Sequence, residues 1–317
     1  MQHELTERRR WYAQDLELRA PVRRNRVIAE AFATVPRERF LGPGPWRMLP
    51  DGPVDCPFVT PDDDPRWLYH DALVTIDQAR GLNNGLPSLW ARNFDSLDWK
   101  RCRWDFDHLE WKRSCRVMQV GAGTGYYAAV LAEIVGPGGR VIAVECDGEL
   151  AAKARDNLRP WPQVEVVHGD GRTHDPGEVD AIIVFAGSTH PAPLWLDRLV
   201  SSGQLLMPLT GENWRGFMLR VTRCCDYDAN LIVLPTARDR NRFDAVSVGP
   251  IGFFPCVGGR DEQAAKRLKD AFYELYRGSS RSEIPIEALH RGDPSPESMD
   301  KVWYHGPGFW LERKPSL

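Results

Sequence analysis

Between residues 113 and 210, short apolar runs alternate with segments of helical pattern. Residues 116–120 form an apolar run that predicts a strand, and Gly121-Ala122-Gly123-Thr124-Gly125 predicts a turn behind it. Residues 126–135 predict a helix, with Gly136 and Pro137 beyond its end as stop signals. A second strand is predicted over 140–145. A second helix follows over 149–158, with Asp147 as its cap and Pro160 as its terminator. Residues 164–167, 181–185 and 204–207 predict three more strands. Strands that alternate with helices need crossover connections, which make a parallel sheet. Strands that are apolar almost throughout are buried on both faces. The predicted fold class is therefore α/β, a doubly wound Rossmann-like sheet.

The flanking segments have a different character. Residues 4–34 predict mostly helix, interrupted near Pro21. Pro36, Pro43, Pro45, Pro50, Pro53, Pro57, Pro61 and Pro65 then exclude long helices and predict a loop wrapped over its neighbours. A short helix is predicted to start near Pro87, and no element is assigned over 93–114. Beyond Gly211 the pattern predicts strands at 216–223, 231–234 and 246–254, and a helix at 261–276. A strand, a turn and a strand follow over 302–311. The expected division is an N-terminal helical and Pro/Trp-rich cap (1–112), a ligand-binding core (113–210) and a C-terminal β-rich extension that completes the sheet (211–317).

Composition narrows the function classes. Lys plus Arg is 41 and Asp plus Glu is 44, a formal charge of −3, which argues against a broad nucleic-acid surface. No apolar run reaches the length of a membrane span, and the first residues lack the apolar stretch of a signal peptide. The seven cysteines form no C-x-x-C pair and no zinc spacing, so no metal is expected. They are expected to be free thiols in a reducing cytoplasm. Trp46, Trp67, Trp90, Trp99, Trp104 and Trp111 precede the predicted core, which suggests an aromatic-rich region around a cavity.

Three features carry candidate chemistry. The Gly121, Gly123 and Gly125 turn, with Thr124 inside it and Tyr126 opening the helix, permits close backbone approach and offers free N–H groups to an anion. Its third glycine comes one residue earlier than in a dinucleotide fingerprint, which favours a smaller anion such as an amino acid carboxylate. Glu145 ends the next strand, about twenty residues on, where an acid accepts from ribose hydroxyls. Gly169-Asp170-Gly171 follows the third strand, where Asp170 and Gly171 can meet an adenine. Read alone, each has an ordinary alternative: a bare turn, a solvated carboxylate, a turn aspartate. In chain order they describe an amino acid, a ribose and an adenine, which is S-adenosyl-L-methionine.

The sequence here resembles the protein-L-isoaspartate O-methyltransferases, a family of class I methyltransferases. Val117-Met118-Gln119-Val120-Gly121-Ala122-Gly123-Thr124-Gly125-Tyr126 is similar to the family's V-L-E-V-G-x-G-x-G-Y. Ala31-Phe32-Ala33-Thr34-Val35-Pro36-Arg37-Glu38-Arg39-Phe40 resembles its A-x-x-x-V-P-R-E-x-F, and Tyr69 and Asp71, with Leu73 close by, are similar to its Y-x-D-x-x-L. The likeness covers roughly residues 25–210. It implies a cofactor site at Gly121, Gly123, Thr124, Gly125, Tyr126, Glu145, Asp170 and Gly171, and carboxyl O-methylation of L-isoaspartyl residues in peptides or proteins. There are departures. The family's G-x-T-I-S-x-P loop reads Gly81-Leu82-Asn83-Asn84-Gly85-Leu86-Pro87, so Asn83 and Gly85 replace its hydroxyl residues. Gln119 stands where the family has Glu.

Methyl transfer from a sulfonium is an in-line displacement, so positioning dominates. A carboxylate acceptor is already ionised at neutral pH and needs no general base. Asn83, Asn84 and Ser88 are the polar groups expected near the acceptor, although Asn83-Asn84-Gly85 is also a good turn. Arg80 is expected either to pair a substrate carboxylate or to be a surface charge, and His70 and His168 are expected to be structural. The acceptor is expected to be a peptide, a protein or a small-molecule carboxylate, with no nucleic acid and no membrane partner. The rival readings are a methyltransferase of a small metabolite or biosynthetic peptide, a tRNA methyltransferase, a non-catalytic cofactor-binding module and a nicotinamide dehydrogenase.

Overall fold

The predicted N-terminal helical stretch, expected to break near Pro21, is two helices, α1 (Gln2–Arg19) and α2 (Arg26–Thr34). The computed structural model describes residues 2–20, 25–50, 57–99, 114–224, 240–253, 255–278 and 284–315. Asn25 caps α2, its side-chain oxygen accepting the Val27 N–H, and Val27, Ile28, Ala31 and Phe32 form its buried face.

The proline-rich stretch corrects the expectation of a plain loop. It holds β1 (Arg47–Pro50), β2 (Phe58–Val59), β3 (Ala72–Asp77) and β4 (Leu82–Asn83), a four-stranded sheet in the order β2-β1-β3-β4. Proline forbids helix but is tolerated at edges and strand ends, and the strands it punctuates are too short to show a period in sequence. Trp46, Met48, Leu68, Ala72 and Val74 pack together as its core.

Next along the chain come α3 (Pro87–Asp95), β5 (Arg116–Val120), α4 (Tyr126–Val135), β6 (Arg140–Glu145), α5 (Gly148–Asn157), β7 (Val164–His168) and β8 (Val179–Val184). The C-terminal part holds α6 (Pro193–Asp197), β9 (Leu199–Thr210), β10 (Arg215–Arg223), β11 (Arg242–Gly252), α7 (Glu262–Gly278), β12 (Ile286–Arg291), β13 (Val302–Gly306) and β14 (Phe309–Arg313).

The chain divides into two compact units, Met1–Arg116 with Ala122–Gly169, and Val117–Gly121 with Asp170–Leu317. In the first unit β6 and β7 pair in parallel, from Val141 opposite Val164 to Glu145 opposite His168. Helix α4 is buried along nearly its whole length, as a crossover helix between layers must be. Arg37 is fully buried there. It donates to the carbonyls of Leu68 at 2.6 Å, His70 at 2.9 Å and Ala72 at 3.2 Å. Its guanidinium also lies over the rings of Tyr12 and Tyr126, so the arginine of the V-P-R-E motif is a structural clamp.

In the second unit β5 pairs with β8, and β8 with β9, both in parallel. The sheet then runs antiparallel through β10, β11, β12, β14 and β13. The expected C-terminal addition to the sheet is thus present, and it includes β12, which the pattern did not predict. The strand expected at 246–254 begins earlier, at Arg242. The strand expected at 231–234 lies outside the described residues, as do Trp104 and Trp111.

Trp46, Trp90 and Trp99 are buried, as large aromatics far apart in sequence gather wherever apolar area is removed from water. The expectation of seven free thiols is corrected at Cys115, which is disulfide-bonded, since pairing depends on tertiary proximity and not on spacing. Cys146, Cys224 and Cys256 carry thiols outside any disulfide, while Cys56, Cys102 and Cys225 lie outside the described residues. No helix among the described residues is long and apolar enough to cross a membrane.

Candidate functional site

In the first unit the glycine turn and the acidic strand tip meet directly. The Gly123 N–H donates to Glu145 Oε2 at 2.7 Å, and the Asp147 N–H donates to Glu145 Oε1 at 3.0 Å. Glu145 is 6% exposed, so its carboxylate organises the turn and is not simply solvated. Cys146 Sγ also approaches Oε1 at 3.6 Å as a weak donor, and of the roughly four acceptor positions of a carboxylate this leaves Oε2 the less used oxygen. Gly123 has φ +57 and open space where a side chain would sit, whereas a Cβ at Gly125 would lie 2.8 Å from Leu158 Cδ1. Gly123 is thus open to a ligand, while Gly125 serves packing. Thr124 is buried, its carbonyl accepts from Asn157 Nδ2 at 3.0 Å, and its Oγ1 has no protein partner.

Tyr126 opens α4 with its side chain turned into the core. Its ring is buried against Phe32, Phe40 and Arg37, and burial pushes the phenol up to about 12. The side chain belongs to the aromatic core, so only the backbone N–H at the start of α4 can face a ligand.

The loop expected near the acceptor is also in the first unit. Asn83 Oδ1 accepts the Gly85 N–H at 2.8 Å, an Asx turn. The Asn84 N–H donates to the Val74 carbonyl at 2.9 Å, and its buried Nδ2 has no protein partner. The Ser88 N–H donates to Asp71 Oδ1 at 2.8 Å. Gly85 has φ +70, and a Cβ there would lie 2.8 Å from Trp90 Nε1, so no side chain fits where the family loop carries a hydroxyl. Arg80 is paired with Asp77 at 2.7 Å and with Asp147, the cap of α5, which removes it as a substrate-pairing charge. His70 is half-buried, with its pKa lowered first by burial. His168 is exposed, with its ring next to Gly148.

The remaining predicted residues are in the second unit. Gly121 has φ +84, and its carbonyl accepts from Gln119 Nε2 at 3.4 Å. Asp170 is exposed, and its Oδ1 accepts the Arg172 N–H at 2.8 Å. A Cβ at Gly171 would lie 2.6 Å from Val120 Cγ1, and the Gly171 carbonyl accepts from Trp195 Nε1 at 2.7 Å. Sequence reasoning missed two half-buried residues of this unit, Arg172 and His190. No motif marked them, because what distinguishes them is their environment.

A family model described as protein-L-isoaspartate(D-aspartate) O-methyltransferase matches residues 104–229. A protein-L-isoaspartate O-methyltransferase of Pyrobaculum neutrophilum is 31% identical over 213 residues, 65% of this chain and 86% of that protein. The protein of that name from Methanopyrus kandleri is 34% identical over 193 residues, 59% of this chain and 70% of that one. The crystal structure of a protein-L-isoaspartate O-methyltransferase of Plasmodium falciparum in complex with S-adenosyl-L-homocysteine has a TM-score of 0.55 at 14% identity. It covers 78% of this chain and 97% of that one. The fold is the mixed α/β fold with a large central sheet that Rossmann-like methyltransferases share. The chain belongs to the protein-L-isoaspartate O-methyltransferase family.

Proposed function

We propose that this protein transfers a methyl group from S-adenosyl-L-methionine to the free carboxylate of L-isoaspartyl residues in peptides or proteins. The observation that carries this reading is the 2.7 Å bond from the Gly123 N–H to Glu145, which brings the glycine turn and the acidic strand tip together as one binding element. The residues fit the cofactor, since Thr124 Oγ1 is buried without a partner and the space beside Gly123 is open. In this reading the backbone of Gly121, Gly123, Thr124, Gly125 and Tyr126 receives the methionine carboxylate at the start of α4. Glu145 accepts from the ribose hydroxyls. Asp170 accepts from the adenine amine, beside the Gly171 backbone.

The bound cofactor supplies an electrophilic methyl group: a carboxylate oxygen forms the new C–O bond as the C–S bond breaks, the sulfur keeps the electron pair, and no proton moves. The protein's contribution is to orient the acceptor and exclude water. Asn83, Asn84 and Ser88 take the acceptor side, with Asn84 Nδ2 as a buried donor in need of an oxygen. The division into a cap (1–112), a cofactor core (113–210) and a C-terminal extension (211–317) describes these roles. A cytoplasmic setting, where damaged proteins would be met, belongs to the same proposal.

A second reading, methylation of a small metabolite or biosynthetic peptide, is favoured by Gly85, where strain and Trp90 leave no room for the family's hydroxyl side chain. Incubation with labelled S-adenosyl-L-methionine and an isoaspartyl peptide separates the two. A base-labile methyl ester supports the first reading, and its absence alongside labelling of small-molecule extracts supports the second.

A further inference from the structure

Arg172 follows Asp170 and Gly171 in the second unit and is half-buried. Its guanidinium carbon lies 5.3 Å from the centre of the Trp195 ring, and its Nη1 reaches the His190 carbonyl at 3.4 Å. That is one long hydrogen bond for a group with five donors. No carboxylate among the described residues forms an ion pair with it. The nearest acid in the chain, Asp170, uses one oxygen on the Arg172 backbone N–H.

Its neighbours do not neutralise it. Arg260 is a second half-buried cation, held by neutral oxygens: Thr210 Oγ1 at 2.8 Å, the Gly211 carbonyl at 2.6 Å and the Gly187 carbonyl at 3.4 Å. Cys256 is buried, and burial pushes its thiol pKa up, which keeps it uncharged. His190 is held low by burial and then by Arg172, with Nδ1 at 2.9 Å from Thr189 Oγ1. Asp261, the remaining acid of the cluster, accepts the Ala264 N–H at 2.6 Å as it caps α7. A charge taken partly out of water without a counter-ion is costly, and guanidinium does not shed its proton. Most of the guanidinium's donors are therefore open to a ligand, and the planar fork of arginine matches the two oxygens of a carboxylate.

We propose that Arg172 is the receiving site for the acceptor's peptide carboxylate, an inference that rests on the reading of the chain as a carboxyl methyltransferase. Arg172 draws in the ionised acceptor and orients it. The ester is neutral, so the attraction ends once the methyl is in place, which favours product release.

The test uses the full chain saturated with S-adenosyl-L-homocysteine. Calorimetry measures binding of a short peptide with one isoaspartyl residue, and of the same peptide with that carboxylate converted to an amide. The expected result is at least tenfold tighter binding of the carboxylate form. That preference is lost in Arg172→Gln and partly kept in Arg172→Lys, while affinity for S-adenosyl-L-homocysteine changes less than twofold. Equal binding of the two peptides by the unaltered protein, or an undiminished preference in Arg172→Gln, overturns the proposal. So does a parallel loss of S-adenosyl-L-homocysteine affinity, which would make Arg172 a strut beneath Trp195. Ester formation is scored separately. Carboxylate preference through Arg172 without any methyl ester keeps the site and removes the isoaspartyl reading. Ester formation with an unchanged KM in Arg172→Gln does the reverse.

Discussion

Trp195 donates its indole N–H to the carbonyl of Gly171 at 2.7 Å, and so fastens the turn that carries Asp170 and Arg172 to the start of α6. Trp195 is fully buried, so its partner cannot fall back on water. Trp195→Phe keeps the apolar bulk and removes the donor. A buried hydrogen bond lost with its acceptor left unpaired costs about 1–3 kcal/mol. Chemical denaturation is expected to show a loss of that size, together with a several-fold weaker affinity for S-adenosyl-L-methionine.

Glu145→Gln tests the joint between the turn and the strand tip. The carboxylate accepts two backbone N–H groups, and an amide has one oxygen to meet them and presents an NH2 to the other. Hydrogen bonds to a charged acceptor contribute about 1.5–3 kcal/mol. Melting is expected to show destabilisation in that range, and calorimetry at least a tenfold loss of donor affinity. Unchanged donor affinity would remove Glu145 from the cofactor site.

Gly123→Ala and Gly125→Ala separate approach from packing. Both glycines have positive φ, a strain of about 1–2 kcal/mol for alanine. A methyl at Gly123 meets no atom within 4 Å, whereas one at Gly125 lies 2.8 Å from Leu158 Cδ1. The Gly123 variant is expected to fold and to lose donor affinity. The Gly125 variant is expected to melt lower than the Gly123 variant, and thermal scans beside calorimetry check the order.

Gly85→Ser, the change that would return a hydroxyl to the loop, is expected to fail. Its φ of +70 and the approach to Trp90 Nε1 together predict destabilisation of about 2–4 kcal/mol, from αL strain and overpacking. Isoaspartyl turnover should not rise, and a stable variant with faster turnover would show that the loop takes another conformation.

Acid stability follows from His70 and His190, both with pKa values below the ordinary 6.5, chiefly through burial. Below 6.5 the unfolded chain binds more protons at these positions than the folded chain, so stability is present above that pH and is lost as pH falls through the folded values. His190→Gln is expected to lose less of its melting temperature between about pH 7.5 and pH 5.5 than the unaltered protein does.

How far the chain explains itself differs from element to element. Strands β5 to β9, the glycine turn and the Asp147 cap were legible because apolar runs, turn residues and caps act over a few positions. The short strands β1 to β4 were not, because two- to six-residue strands between prolines carry no period of their own. The direction of the Tyr126 ring was not legible for a related reason. A motif locates its backbone, but the direction of its ring is set by Phe32, Phe40 and Arg37, far back in the chain.

By itself the sequence determined the order of strands and helices from β5 to β9, the glycine turn and the family, since these rest on local pattern and residue identity. Tertiary structure alone decided that Arg37 is a buried clamp, that Arg80 is bound to Asp77 and Asp147, that Cys115 is disulfide-bonded and that Arg172 is half-buried over the Trp195 ring. Each depends on which distant groups surround a side chain. Burial and counter-charge are properties of that surrounding, and no spacing along the chain records them.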